Sequence, residues 1–208
     1  MKPFIRHEGV AAVLPRDNID TDAIIPSREM RTVSRSGLAD GLFAPWRYTD
    51  PDARAADSDF VLNQAEFSGA SVLIAGHNFG CGSSREHAVW ALMEAGFRVV
   101  IARSFATIFF NNALRNGLLP VTLDDEVRQA LLRCCADDPQ RHRISVDLEA
   151  CRVGAGEREY PFALATDARH MLLEGLDEIG LTEQDSDRIA AFEQHDQQSR
   201  PWVYLNQS

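Results

Sequence analysis

Short apolar runs alternate with amphipathic stretches through the middle of the chain. Three runs are brief, apolar and closed by glycine or polar residues, which is typical of buried strands; they lie at 71–75, 99–102 and 118–123. Helical spacing marks 84–95, and Ser104 and Asp124 are predicted to cap two further helices, the first ending near Gly117. This alternation predicts βαβ units and a partly parallel sheet.

The pattern changes on either side of this middle part. Residues 4–14 are predicted to form one opening strand, and residues 26–59 an irregular loop on the substrate side. A stretch this long without periodicity is usually a functional loop or a disordered insert, and its aromatic residues favour the functional loop. Beyond 143, apolar and polar residues alternate around a turn at 154–156, which predicts a hairpin.

Two helices should follow the hairpin. Thr182 and Asp185 form a capping-box-like arrangement that is predicted to open the second helix, and the polar tail at 194–208 is predicted to be loosely held. We therefore expect one α/β domain over 1–208, with a partly parallel mixed sheet flanked by helices and a C-terminal hairpin and helices.

Composition narrows the classes of function. The chain has 208 residues, a net charge of −10 and 45% hydrophobic residues, which suits one globular domain and argues against a nucleic-acid or anionic-membrane partner. No segment has the roughly 18 apolar residues of a membrane span, and no signal sequence is visible. The four cysteines, at 81, 134, 135 and 151, form no CxxC pair. We expect a cytoplasmic protein.

The candidate chemistry lies in the segment Gly76-His77-Asn78-Phe79-Gly80-Cys81-Gly82-Ser83-Ser84-Arg85-Glu86-His87, between a predicted strand and a predicted helix. Helix N-termini favour anions, and the glycines let the backbone approach a ligand. Arg85 can hold a carboxylate with two parallel hydrogen bonds, with Ser83 and Ser84 as further donors. Neither the phosphate loop nor the dinucleotide fingerprint fits, since no lysine follows the glycines and Arg85 stands where a glycine is needed. The alternative is structural: Ser83 or Ser84 merely caps the helix.

Several ordered motifs resemble the swivelling domain of the aconitase superfamily, which is a separate small subunit in the dehydratases of leucine biosynthesis. Besides Gly80 to Ala88, the motifs are Asp17 to Pro26, Asp59 to Asn63, Ser104 to Phe109, Gly117 to Pro120 and Gly175 to Thr182. The resemblance runs nearly end to end, and several motifs in order are more specific than one loop.

The resemblance implies a hydro-lyase that isomerises 2-isopropylmalate to 3-isopropylmalate by dehydration and rehydration. Ser83 would be the catalytic base, Ser84 and Arg85 would bind the substrate carboxylate, and the supporting residues would be Asp22, Thr21, Gly82 and Cys81. A [4Fe–4S] cluster would act as Lewis acid on the departing hydroxyl. A cluster needs three or four converging thiolates, and the scattered cysteines of this chain are not expected to converge, so a partner large subunit would carry it. We expect no metal bound by this chain; the group Asp17, Asp20 and Asp22 lacks the glycine and distal glutamate of a calcium loop.

Two alternatives stay open. One is a related dehydratase that acts on methylmalate or citraconate, with this chain as its small subunit, and the other is a non-catalytic module that binds small dicarboxylates. An apolar wall for an isopropyl group is predicted in the segment from Ile24 to Val33 and just downstream of it; its members are Ile25, Met30, Val33, Leu38, Leu42 and Phe43. For His87 and Cys81, the structural interpretations, a satisfied histidine and a small loop residue, are preferred.

Overall fold

The computed structural model describes residues 1–30, 34–136 and 138–204. Within these ranges the chain forms ten strands: β1 Arg6–Gly9, β2 Ala11–Leu14, β3 Tyr48–Asp50, β4 Ala55–Ala56, β5 Val72–Ala75, β6 Val99–Ala102, β7 Leu119–Thr122, β8 Ile144–Asp147, β9 Arg152–Ala155 and β10 Arg158–Pro161.

Eight α-helices lie in the same described ranges: α1 Thr21–Ile24, α2 Ala44–Arg47, α3 Glu86–Glu94, α4 Thr107–Asn116, α5 Asp125–Ala136, α6 Thr166–Glu174, α7 Glu178–Glu183 and α8 Ser186–Ser199. Short 3-10 helices occur at Ser27–Glu29, Ala39–Gly41, Val61–Asn63, Ala65–Phe67 and Pro201–Val203. None of these helices is long and apolar enough to cross a membrane.

The central sheet is parallel, in the order β2-β5-β6-β7. Its strands are buried on both faces because their side chains alternate between two apolar cores. Leu73 and Val100 face the core that contains α3, whereas Val72 and Ile74 face the core beneath the second sheet. Helix α3 connects β5 to β6, and α4 connects β6 to β7, which confirms the predicted βαβ units.

The second sheet is antiparallel, in the order β1-β8-β9-β10. The prediction of one opening strand over 4–14 was wrong, because the chain changes sheets at Val10, whose carbonyl accepts from the N–H groups of Ser71 and Val72. The hairpin prediction was incomplete, since β8, β9 and β10 form a three-strand meander. Gly154 lies inside β9 rather than in a turn.

Several helix boundaries differ from the prediction. Helix α4 begins after Ala106 rather than at Ser104, whose hydroxyl accepts from the Asn78 N–H instead. Its predicted end is confirmed, because Gly117 closes it with φ at 85°. Asp124 caps α5 by accepting from the Val127 N–H, as predicted. Thr182 lies inside α7 and opens no helix.

The C-terminal helices number three rather than two among the described residues, and Asp177 caps α7 by accepting from the Gly180 N–H. The segment predicted to be a loose tail begins as a continuation of α8 to Ser199. After α8 the chain turns back, and the Tyr204 hydroxyl donates to Asp196 at 2.7 Å.

The described residues of this predicted loop, 26–30 and 34–59, are mostly irregular, with short helical turns and the small ribbon β3–β4. The segment is nonetheless packed, because Leu38, Leu42 and Phe43 are buried in the core beside α3. Glu94, at the end of α3, fastens it by accepting from the N–H groups of Gly37, Leu38 and Ala39 at 2.6, 2.5 and 2.9 Å. One end of helix α3 thereby holds residues 37–39, while its other end follows directly on the 76–85 loop.

Candidate active site

Three loops meet at the carboxyl edge of the parallel sheet: the segments after β2, β5 and β6. In open α/β sheets, ligands bind outside this edge. The loop at 76–85, which follows β5, lies between the other two. Its Gly80 N–H donates to the Ile19 carbonyl at 2.7 Å, and its Phe79 N–H donates to the Ser104 carbonyl at 3.0 Å. Main-chain bonds on both sides therefore fix the course of the loop.

Two glycines shape this loop. Gly80 has φ at 76°, and a Cβ there would lie 2.2 Å from Cγ of Phe109, so the ring of Phe109 packs directly on the loop backbone. Gly82 has φ at 90°, which side-chain-bearing residues rarely adopt. This backbone turn brings the chain from the packed part of the loop to the exposed Ser83.

Ser83 is exposed to solvent, and its backbone is held by a buried partner. The hydroxyl of Thr21, itself only 2% exposed, donates to the Ser83 carbonyl at 3.0 Å, and the Thr21 N–H donates to Cys81 at 2.9 Å. Ser84 is exposed as well. The loop thus presents two hydroxyls from a backbone anchored on the first turn of α1.

The interpretation of Ser83 or Ser84 as a helix cap is wrong. Helix α3 begins at Glu86, the N-cap position is Arg85, and no side chain caps it. The first N–H groups of α3 are therefore available to an anion beside the two serines.

Arg85 is partly buried and ion-paired with Asp22. Its Nη1 also donates to the Ile25 carbonyl at 3.4 Å, which draws the guanidinium toward α1. The Arg85 side chain is 17% exposed, against 56% for the Asp22 side chain. A ligand carboxylate can therefore reach the pair from the Asp22 side.

Cys81 lies within the loop and forms a β-bridge with Asp20. Burial, and then the charge of Asp20, raise the pKa of the Cys81 thiol, which keeps it protonated and suits the expected structural role. Burial raises the pKa of Cys135 to about 12. Among the described residues, no three His, Cys, Asp or Glu side chains come together as a metal site, so these residues do not fit an iron–sulfur cluster.

The remaining acidic residues of the first motif stabilise backbone. Asp17 accepts from the His77 N–H at 2.7 Å, and Asp20 caps α1 by accepting from Ala23 at 2.7 Å. His87 packs its ring 4.7 Å from that of Trp90. Sequence reasoning missed the positioning contacts of Asp17 and Glu94; only the place of Asp17 at the start of the Asp17 to Pro26 motif could have suggested one of them.

The predicted apolar wall is wrong in most of its members. Ile25, Leu38, Leu42 and Phe43 are at most 1% exposed and belong to the core, so they cannot line a substrate pocket directly. Met30 is only partly buried, so its side chain can still line a substrate pocket. Val33 lies outside the described residues.

Comparison with known proteins gives the class to which this fold and loop correspond. Residues 1–126, which contain the parallel sheet and the whole 76–85 loop, match the model of the aconitase C-terminal domain. Residues 178–204, which contain α7 and α8, match the model of the C-terminal domain of the 3-isopropylmalate dehydratase small subunit.

The more specific assignment rests on full-length relatives. The chain is 56% identical over 208 residues to a 3-isopropylmalate dehydratase small subunit from Cupriavidus necator, covering 99% of this chain and 100% of that protein. It is also similar to the crystal structure of 3-isopropylmalate dehydratase from Methanocaldococcus jannaschii, with 26% identity, a TM-score of 0.64 and coverage of 90% and 99% of the two chains. The chain belongs to the 3-isopropylmalate dehydratase small subunit family, which confirms the predicted resemblance.

Proposed function

We propose that this chain is the small subunit of a two-subunit hydro-lyase of leucine biosynthesis that isomerises 2-isopropylmalate to 3-isopropylmalate. The observation that carries the proposal is the exposed Ser83 beside Arg85, on a loop fixed by main-chain bonds. The chain that presents it is 56% identical to a 3-isopropylmalate dehydratase small subunit. The non-catalytic alternative is less well supported, because binding a dicarboxylate would need Arg85 and backbone donors but no exposed serine at this position.

Arg85 and Ser84 would bind the substrate carboxylate. The guanidinium offers several N–H donors in one plane, and its contacts with Asp22 and Ile25 use Nη1. A carboxylate approaching from the open side can take the remaining donors or displace Asp22, while Ser84 supplies a further hydroxyl. Asp22 would thus hold Arg85 ready rather than take part in the chemistry.

Ser83 would abstract the proton from the carbon next to that carboxylate. The proton passes to the Ser83 oxygen, the electron pair of the C–H bond forms the new double bond, and hydroxide leaves the neighbouring carbon. Negative charge that develops on the carboxylate is stabilised by Arg85 and by the uncapped N–H groups of α3. The same groups lower the free-energy cost of forming the anionic Ser83 oxygen that accepts the proton. Rehydration runs these steps in reverse with the hydroxyl on the other carbon.

The partner large subunit would carry the [4Fe–4S] cluster, since the described residues of this chain do not fit one. When bound, such a cluster supplies Lewis-acid assistance to the departing hydroxyl. A cytoplasmic location belongs to the same proposal and is supported by the four free cysteines.

The test is assembly of this chain with a candidate large subunit whose cluster has been reconstituted. We expect turnover of isopropylmalate by the mixture and none by either chain alone, and kcat/KM for isopropylmalate well above that for citrate or methylmalate. Higher kcat/KM for methylmalate would instead favour the related dehydratase. Tight substrate binding without turnover would favour the binding module.

Reconstitution of this chain alone with iron and sulfide is the control for the cluster. We expect no stoichiometric cluster in its absorption spectrum. A stable cluster on the isolated chain, with turnover, would contradict the assignment of the cluster to the partner.

A further inference from the structure

Helix α8 exposes its apolar side chains. Among its described residues, the only buried one is Asp196, whereas Phe192 is 62% exposed and Ile189, three residues earlier on the same face, is 39% exposed. The helix has 14 residues. Isolated helices of about this length are marginal in water, because most helix stability in proteins comes from packing of an apolar face. Much of the apolar face of α8, Phe192 above all, is therefore left uncovered by the described part of the chain.

The exposed face continues onto α7. Ile179 is 69% exposed, and two grooves of about 560 and 260 Å³ lie on either side of Ile189, both bordered by Thr182. Leu181 and Phe192 line the larger groove, and Ile179 lines the smaller. We call the exposed Ile179, Ile189 and Phe192, together with the partly buried Leu181, the C-terminal surface. Clustered exposed apolar side chains of this kind mark interaction sites on soluble proteins.

Charge on the rim indicates what can cover the C-terminal surface. The segment 178–204 contains six acidic residues and two arginines. Arg188 pairs with Asp185, and Arg200 pairs with Asp196, so the charge in excess is negative. Glu183 and Glu193 border the smaller groove. A second copy of this chain, with its net charge of −10, would place like charges opposite each other, whereas a partner with an apolar centre and basic rim would be attracted.

From these observations we infer that the C-terminal surface docks the large subunit, through an apolar patch on that subunit flanked by Lys or Arg side chains. The inference rests on the proposed function, which requires such a subunit. The comparisons support it, because the segment lies outside the match to the aconitase C-terminal domain and instead matches a model specific to small subunits of this dehydratase. Its chemistry also fits an interface, with aliphatic and aromatic residues at the centre and charges at the rim.

The test measures the dissociation constant between the full-length small subunit and the large subunit, loaded with its cluster, by calorimetry. We expect Phe192→Ser and Ile189→Ser each to raise Kd roughly tenfold or more, since a few side chains at the centre of an interface contribute a large share of the binding energy. Glu193→Lys should raise Kd at low salt and weaken its salt dependence. Ile5→Ser is the matched control, because Ile5 is 49% exposed outside this surface, and it should leave Kd unchanged.

Each outcome separates this inference from the proposed function. If the unaltered chain binds the large subunit and the mixture is active, but the Phe192 and Ile189 variants bind equally well, the docking surface lies elsewhere and the function stands. If the variants change only self-association of the small subunit, the surface is an interface between copies and the inference is overturned. If the unaltered chain does not bind the large subunit, both proposals fail. Unchanged thermal unfolding of the variants would show that a raised Kd reflects the surface.

Discussion

Arg85 and Asp22, 63 residues apart in the sequence, form an ion pair at the edge of the parallel sheet. The pair joins the loop before α3 to the first turn of α1, and the Ile25 carbonyl accepts from the same guanidinium nitrogen. A cation held in this way has its remaining donors oriented before a substrate arrives, which reduces the entropy lost on binding.

Arg85→Lys should lower kcat/KM for isopropylmalate by roughly 100-fold, because an ammonium group cannot reproduce a planar two-pronged grip. Asp22→Asn should raise KM by about tenfold with a smaller change in kcat, because Arg85 loses its orienting partner. Steady-state kinetics of the assembled enzyme measure both. Arg6→Lys, in an exposed ion pair of the antiparallel sheet, is the control and should leave kcat and KM unchanged. Normal kinetics for Arg85→Lys would remove Arg85 from carboxylate binding.

Ser83→Ala should lower kcat by roughly 100-fold to 10,000-fold, the range expected for loss of a general base. Because Ser83 is exposed, the substitution should change the free energy of unfolding of the chain by no more than about 0.5 kcal/mol. Rapid-quench turnover and urea unfolding report the two effects separately, with Ser58→Ala as an exposed control. A variant that keeps a near-normal kcat would show that another group takes the proton.

Thr21→Val removes the hydroxyl that donates to the Ser83 carbonyl while keeping the shape of a buried side chain. We expect a loss of about 1 kcal/mol in the free energy of unfolding and a fall in kcat of roughly tenfold, because Ser83 is no longer held in place. Thr21→Ser restores the hydroxyl and should recover kcat. If Thr21→Val destabilises the chain but leaves kcat intact, the bond is structural only.

Glu94 should make the attachment of residues 37–39 depend on pH. Burial raises the pKa of Glu94, but the N–H groups of Gly37, Leu38 and Ala39 together outweigh this effect and lower the pKa below its ordinary value of 4.5. The attachment is therefore complete above that ordinary value and is lost as the pH falls through the lower pKa of the folded chain.

Hydrogen exchange at these three amides measures the attachment. We expect protection to fall in acid and to be reduced at neutral pH in Glu94→Gln, whose uncharged amide is a weaker acceptor. Glu126→Gln, on the exposed first turn of α5, is the control. Equal protection in Glu94→Gln and the unaltered chain would mean that the buried Leu38 alone holds the segment.

The parallel sheet could be predicted because its strands are buried on both faces and read as short apolar runs. The break at Val10 could not, since both halves of the opening run are apolar and the change of sheet depends on bonds from Ser71 and Val72. Gly154 was predicted to lie in a turn, but a Cβ there would lie 2.3 Å from the Ser145 hydroxyl, so the glycine serves close packing between strands. The sequence predicts Ser104 as a helix cap, but the Ser104 hydroxyl accepts instead from the N–H of Asn78, which is distant in the sequence.

The loop with Ser83 and Arg85 was predictable because its residues are consecutive and chemically unusual. The side-chain contacts that hold neighbouring segments in place were harder to predict, since Glu94 resembles any polar residue at the end of a helix until residues 37–39 pack beside it. The apolar wall failed for a related reason: sequence shows that Leu42 and Phe43 are apolar, but not whether they face a ligand or the core.

Much of the positioning of the 76–85 loop comes from main-chain bonds, to Ile19, Thr21 and Ser104. Such bonds are insensitive to which side chain a position carries, so most substitutions on this loop should leave its path intact. Descendants of a common ancestor could therefore exchange the side chains around the serine, and with them the preferred substrate, without first having to rebuild the turn that presents it. Divergence in specificity would then need few mutations, and intermediates along the way would still fold.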